Sequence, residues 1–418
     1  MRMVNRRTNR SLYPEVVLRM LSNPIRSVAI SNFSARFHAL CTARYAFRLL
    51  PFALACSLVV LAGCSRFRSK PAVQHVYVTA KQTYLRDRVA AVSNRTATVQ
   101  NGDVLQVLEH GRRFYHVKTD KGEVGWIDEK AVVTQDVYDA FQDLARTHAK
   151  VPAVASAVVR DEVNLHLKPG RETERFYRLQ ENDKLQLLQR ATLPRPVPAG
   201  AILSRPQPKP GLKPEPTPPV PMEDWWLARD SKGHAGWLLS RMIDVDAPDT
   251  LTRYSEGQKF VGAYVLTTVY DPGAEQQNKN IPEYVTVLAP YAAGLPFDFN
   301  QVRVFTWNTK MHRYETAFRE KNIAGYLPVK IAMEKDPYGK SPLAQTPLPI
   351  FTYQVLSAAA PPVVPDPTTG FITPGKTISK TYRLEGNVVH RIAPPGYKDE
   401  PIARPAPEEK KEKKGRRR

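Results

Sequence analysis

The chain repeats a short-strand unit. One copy reads Asn101-Gly-Asp-Val-Leu-Gln-Val-Leu108, Phe114-Tyr-His-Val-Lys-Thr-Asp-Lys-Gly122 and Val124-Gly-Trp-Ile127. The other reads Asn182-Asp-Lys-Leu-Gln-Leu-Leu188, Trp225-Trp-Leu-Ala-Arg-Asp-Ser-Lys-Gly233 and Ala235-Gly-Trp-Leu238. Apolar and polar residues alternate over short runs in both, the period of half-buried strands. Asp120-Lys121-Gly122 and Ser231-Lys232-Gly233 occupy the same place, where Gly supplies the positive φ of a tight hairpin. Upstream, Leu85-Arg86-Asp87 and Leu167-Lys168-Pro169-Gly170 stand at similar distances from their first strands.

This pattern resembles the bacterial SH3 domain (SH3b), a small five-stranded barrel. Gly102-Asp103 and residues 114–117 and 122–127 match the family's Gly-Asp turn, its Trp-x-x-Val strand and its Gly-x-x-Gly-Trp-Val ending. Asn182-Asp183 and residues 225–228 and 233–238 match them again, whereas Tyr84-Leu85-Arg86 and Asn164-Leu-His-Leu-Lys168 depart from the family opening. The resemblance implies an SH3b domain over 75–134 and a second over 151–246. Between them, residues 135–150 read as a helical linker: Val137, Phe141 and Leu144 fall at i, i+4 and i+7, and Asp136 can cap the first turn.

The second copy carries an insertion over 191–223 with eleven Pro between Arg190 and Asp224, expected to be extended polyproline II at a hairpin tip. It reads either as a docking ligand for another domain or as a tolerated surface loop. Residues 251–393 then hold further strands, 283–288, 301–307, 312–318, 327–331, 350–355 and 380–384, rich in β-branched and aromatic residues. Trp307-Asn-Thr-Lys-Met-His-Arg-Tyr314 reads as a hairpin turning at residues 308–310, similar to strands in single blades of β-propellers. The family of this C-terminal region is not identified. Residues 394–418 are Pro-rich and charged, a disordered basic tail by composition. The expected fold class is therefore all-β: two small SH3-like barrels joined by a short helix, plus a C-terminal antiparallel β-domain.

Ahead of the repeat, the apolar run from Leu49 to Val60 ends in Leu61-Ala62-Gly63-Cys64 and follows Arg44 and Arg48. It is too short for a span of about 20 apolar residues. The ending resembles the lipobox of bacterial lipoproteins, which implies that 1–63 is a signal peptide and that Cys64 takes the lipid. The Arg-rich segment over 1–48 is long for such a leader, and a start at Met20 would shorten it. The other two cysteines, Cys41 and Cys56, fall in the part to be removed, so the processed chain could form no internal disulfide and use no cysteine nucleophile. The resemblance places the protein at the cell envelope, lipid-anchored, with Ser65 after Cys64 favouring the outer membrane facing the periplasm. The formal charge of +21 becomes +13 without residues 1–63, which hold nine Arg and one Glu. A basic balance suits a peptidoglycan or other anionic envelope polymer. No nucleic-acid motif occurs.

Catalytic patterns are missing too. The remaining histidines (His75, His110, His116, His148, His166, His234, His312 and His390) form no His-x-His or His-Glu-x-x-His, and no Gly-x-Ser-x-Gly elbow occurs. His312 and Glu315 read as a solvated hairpin edge. No cofactor or metal site is expected. The sharper candidates are aromatic: the doublets Phe114-Tyr115 and Trp225-Trp226, with the terminal Trp126 and Trp237. Neighbours on a strand face opposite sides, so one ring of each doublet lies off the barrel core. The reading is a membrane-anchored, non-enzymatic lipoprotein that binds peptidoglycan or related peptides. Two alternatives stand beside it: a scaffold docking envelope proteins on the barrels and the Pro-rich insert, and a cell-wall hydrolase with its site in the C-terminal domain.

Overall fold

The structure, a computed structural model, describes residues 74–196 and 220–405. The leader with Cys64, residues 197–219 of the insertion and residues 406–418 of the tail lie outside the described residues.

The first barrel comprises β1 (His75–Val78), β2 (Gln82–Arg86), β3 (Arg95–Gln100), β4 (Val104–His110), β5 (Phe114–Lys118), β6 (Val124–Asp128) and β7 (Val132–Thr134). After helix α1 (Gln135–His148), the second comprises β8 (Ala155–Val159), β9 (Val163–His166), β10 (Arg175–Leu179), β11 (Lys184–Pro194), β12 (Met222–Asp230), β13 (Ala235–Leu239) and β14 (Ile243–Val245). The spatial orders β3-β2-β6-β5-β4-β1-β7 and β10-β9-β13-β12-β11-β8-β14 agree position by position. Local chemistry recurs with them. Gly102 and Asn182 both take a positive φ, and Asp103 and Asp183 accept from the backbone N of Gln100 and Gln180 at 2.8 and 2.7 Å. Asn tolerates this left-handed conformation where most residues do not. At Gly125 an added Cβ would stand 2.8 Å from Leu85 Cβ, and at Gly236 2.6 Å from Leu165 Cβ. This close crossing of β6 over β2, and of β13 over β9, explains the Gly of each Gly-Trp pair. It also makes Leu165, rather than Leu167, the counterpart of Leu85.

Helix α1 buries Phe141 in the second barrel's core with Val137 and Tyr138 beside it, while Leu144 packs on the outer side of that barrel. Asp136 sits in the first turn, where its charge favours the helix dipole. It is not the cap: that position is Thr134, and no side chain caps it. The barrels also touch directly. Tyr77 stacks on Tyr138 with ring centroids 3.9 Å apart and meets Phe176 edge-on at 6.1 Å. Asn101 joins the backbone of the second barrel, donating to Phe176 O at 3.2 Å and accepting from Arg178 N at 3.1 Å.

The C-terminal region opens with the single turn α2 (Asp249–Thr252) and continues as β15 (Phe260–Tyr270), β16 (Asn280–Leu288), β17 (Phe299–Asn308), β18 (Arg313–Glu334), β19 (Leu348–Leu356), β20 (Thr377–Glu385) and β21 (Val388–Arg391). Each strand pairs antiparallel with the next, a meander of seven rather than the repeated blades of a propeller. β18 pairs with β17 through its first half and with β19 through its second. The sheet thereby folds around one core that draws Val285, Val304, Phe351, Tyr353 and Tyr382 from four of its strands. The stretches expected as two strands, 312–318 and 327–331, belong to this one strand except for His312, which lies in the preceding turn with φ 46°. Pro328 is tolerated inside it because the ladder shifts register between Tyr326 and Lys330.

Two expectations of irregular chain need correcting. The insertion does not start at Ala191: β11 and β12 stay paired out to Pro194 and Met222, making an arm that projects past the barrel. The tail is ordered beyond Pro394 as far as it is described. Ser357 and Ile402 form a β-bridge, and Ala403 N donates to Leu356 O at 2.8 Å. Ile402 packs on the meander's core, so burial holds a segment that composition alone marks as disordered.

Candidate functional site

The arm of the second barrel fastens it to the C-terminal domain. Arg190, only 9% exposed, donates to Asp298 Oδ1 (2.9 Å), Asp224 Oδ1 (3.1 Å), Leu295 O (2.8 Å) and Phe297 O (2.7 Å). On the opposite face Ala191 bridges to Phe371, and Thr192 N donates to Gly370 O at 2.8 Å. The Phe371 ring lies against Trp237 with centroids 5.8 Å apart.

This contact decides which candidate aromatics can meet a ligand. Trp225, Trp226 and Trp237 are all enclosed, at 2, 2 and 4% exposure. Trp226 fills the barrel core. Trp225 and Trp237 point the other way, as strand alternation requires, but Leu144 of α1, Val151 and Phe371 cover them. His166 meets Trp225 edge-on at 5.2 Å, and burial together with Arg175 holds its pKa below the usual imidazole value. The expected ligand face of the second barrel is thus an intramolecular interface.

In the first barrel the equivalent face is open. Tyr115 and Val117 of β5 point into the core, so Tyr115 is not part of a platform; its ring is buried against His110 with centroids 4.2 Å apart. Burial raises its hydroxyl pKa. Phe114 and His116 point outward, and His116 pairs across the sheet with Trp126. The His116 and Trp126 rings stack at 4.7 Å and 20°, and both remain partly exposed, as does Phe114. Arg86 neighbours Trp126 across the sheet, and Arg112, Arg113 and Lys118 are exposed nearby. The arrangement offers ring faces for apolar contact inside a cationic rim, suited to an extended chain that carries carboxylates. Of the six aromatic candidates, Phe114 and Trp126 share this face. His116 was missed, although it alternates with Phe114 and could have been placed by that spacing.

A second concavity of about 820 Å³ lies between the barrels and α1. Tyr177 stacks on His234 at 3.7 Å, and His234 Nδ1 meets Asp230 Oδ2 at 2.8 Å. Burial works to raise the Asp230 pKa, but His234 and backbone N–H groups outweigh it and hold the carboxyl below its ordinary value. Tyr177 OH accepts from Gln142 at 2.5 Å and is pushed up to about 12 by burial. Among the described residues no nucleophile is hydrogen-bonded to the dyad, which serves to pin β10 to the β12–β13 hairpin. Among the described residues no group of three or more His, Cys, Asp and Glu is placed to hold a metal ion. His312 pairs with Asp271 at 2.7 Å, and Glu315 lies beside Arg313 instead.

Residues 82–133 match the family model of the bacterial SH3 domain. No curated protein matches the chain at a significant level. Among solved structures, the chain is similar at 10% identity to NlpC1 from Trichomonas vaginalis, over 50% of this chain and 59% of that one, with a TM-score of 0.13. It is also similar at 10% identity to NlpC2 from Trichomonas vaginalis, over 59% of this chain and 93% of that one, again with a TM-score of 0.13. The chain spans 59% of the length of the first of these. The open, aromatic first barrel therefore contains a bacterial SH3 domain, at residues 82–133.

Proposed function

We propose that this protein is a non-enzymatic, lipid-anchored component of a bacterial envelope that binds peptidoglycan or its stem peptides through the open face of its first barrel. A bacterial SH3 domain points to the cell wall as partner. One observation carries the finer reading: equivalent faces of two barrels with the same strand order differ, one open and one sealed by Phe371. On this reading the second barrel is a divergent SH3b copy converted into a brace between the first barrel and the C-terminal domain. The lipobox-like Leu61-Ala-Gly-Cys64 supports anchoring at Cys64, with the outer membrane facing the periplasm as the location.

Co-sedimentation with purified sacculi tests the reading. Wild-type binding should persist when salt shortens the Debye length to about 3 Å at 1 M, because ring contacts are not screened. Phe114→Ala and Trp126→Ala, checked for folding by circular dichroism, should each weaken it about thirtyfold, the loss expected for a buried aromatic anchor worth about 2 kcal/mol. Binding that vanishes with salt and ignores both substitutions would leave only a basic surface. Cys64→Ala should abolish incorporation of labelled palmitate.

A further inference from the structure

The segment that leads from the second barrel into the C-terminal domain covers an arginine whose hydrogen-bonding edge is empty. This segment packs on the sheet face that carries Phe305, opposite to Val304 of the main core. Leu251 joins the cluster around Phe305, and the Tyr254 and Phe305 ring centroids are 5.3 Å apart. Arg303 lies two residues before Phe305 on β17 and so faces the same way. It is only 2% exposed. Its Nη1 donates to Tyr254 O, whereas Nε and Nη2 find no hydrogen-bond partner among the described residues.

Nε and Nη2 form one side of the guanidinium, the fork that takes two oxygens of a carboxylate or phosphate at once. This chain fills that fork elsewhere. Arg160 Nε and Nη2 donate to the two oxygens of Asp244, each at 2.7 Å, and Arg171 does the same with Glu223. Arg303 has Glu256 nearby, with Nη2 3.1 Å from Oε1, but as an ion pair without hydrogen-bond alignment. The Glu256 carboxylate is engaged elsewhere: Arg319 Nη2 donates to Oε2 at 2.6 Å, and Lys321 Nζ stands 4.0 Å from the same oxygen. Arg319 is the cross-strand partner of Arg303, so two guanidiniums share one carboxylate. Burial first, and then the charge of Arg319, lowers the Arg303 pKa from its ordinary value. A buried guanidinium with its fork unfilled is costly, and such a group calls for a partner.

Glu256 is placed to give way. Its side chain is 43% exposed, and its backbone has φ +54, a conformation that Glu rarely adopts. Gly257 follows at φ +85 and lines, with Ser255 and Gln258, a cavity of about 610 Å³, so the turn borders open space. The empty fork selects the ligand. A cation is repelled, and a neutral group leaves the buried charge unanswered. An anion with two oxygens on one centre, a carboxylate or a phosphoryl group, matches the fork. We infer that Arg303, with Arg319 beside it, forms an oxyanion-binding site and that Glu256 is a built-in competitor for it. No residue of the first barrel's open face takes part, so the site stands apart from the peptide-binding reading above.

Calorimetric titration of the full chain at low ionic strength, with inorganic phosphate and with N-acetylglycine, tests this. At least one should bind at millimolar concentration. Phosphate alone would point to a phosphoryl ligand, N-acetylglycine alone to a peptide carboxylate, and binding of both to either source. Glu256→Gln removes the competing charge and should tighten binding severalfold. Arg303→Lys keeps the charge but removes the fork, and should weaken binding about tenfold or more, the value of a hydrogen bond to a charged group. Arg319→Gln, at a side chain 30% exposed, should weaken it severalfold and keeps the test sound if Arg303→Lys fails to fold. The proposal is overturned if neither anion binds, if Glu256→Gln binds no more tightly than the wild type, or if the folded arginine variants bind as tightly as the wild type. Any of these would leave Glu256 a structural clasp.

Discussion

Replacing Arg190 by Met should reveal whether the second barrel and the C-terminal domain unfold as one unit. The guanidinium serves four acceptors across the junction: the carboxylates of Asp298 and Asp224 and the carbonyls of Leu295 and Phe297. The two carboxylates are mostly buried, with side-chain exposures of 15 and 16%. Removing one partner of a buried ion pair leaves the other charge uncompensated and costs about 3–5 kcal/mol. The low end applies here, because Asp298 keeps its bond from Leu327 N at 2.9 Å and Asp224 keeps that from Thr192 OH at 2.6 Å. At about 2–4 °C per kcal/mol for a body of this size, the melting temperature should fall by about 6–12 °C. Circular dichroism should show a single transition in the wild type. Adding Asp224→Asn and Asp298→Asn to Arg190→Met removes the stranded charges and should recover a good part of the loss, as a mutant cycle would detect. A fall under about 2 °C, or losses that simply add in the triple variant, would refute the reasoning and leave the arm an ornament.

Three further outcomes follow from the geometry. Because Arg195 N already donates to Pro221 O at 2.8 Å, closing residues 197–219 with a short turn should shift the melting temperature by only a few degrees, since loop closure depends logarithmically on length; a large drop by differential scanning calorimetry would show that the deleted stretch packs. Gly236→Ala puts a Cβ 2.6 Å from Leu165 Cβ and 3.1 Å from His166 O, so denaturant unfolding should report a loss of about 1–3 kcal/mol, whereas Gly386→Ala, with open space around it but φ +57, should cost less. Lys259 donates to Ser240 O and Ile243 O at the junction, and burial lowers its pKa to about 8. Between pH 8 and the ordinary lysine value of about 10.4 the unfolded chain holds a proton that the folded one has released. Stability should therefore rise with pH in that window relative to Lys259→Met, and a pH-independent difference in melting temperature would refute the burial.

Much of this protein is legible because its signals are local. Alternation in Phe114-Tyr-His-Val and Trp225-Trp-Leu-Ala, the Gly102 and Asn182 turns and the repeated Gly-Trp endings each depend on neighbours within a few residues, and they lead to two barrels with one strand order. The helix between them follows from Phe141 and its neighbours at helical spacing. Where the backbone breaks phase, legibility fails. β15 escaped notice because bulges near Gly262 and Leu266 interrupt its alternation, and β18 looked like two strands because it turns from one partner to another partway along.

What only the tertiary structure decides is which outward faces stay outward. Trp126 and Trp237 occupy the same place in the same sequence pattern, yet one is partly exposed and the other sealed. The difference comes from Phe371, distant in the chain, reaching Trp237 across an arm that the first barrel lacks. Likewise nothing near Glu283 in the sequence announces the cavity of about 590 Å³ that it lines, since the other walls come from β15, β17 and the turn after it, β19 and the β20–β21 turn. Alternation states that a side chain leaves its own sheet. Burial is a property of whatever arrives on the other side, and long-range packing alone supplies that.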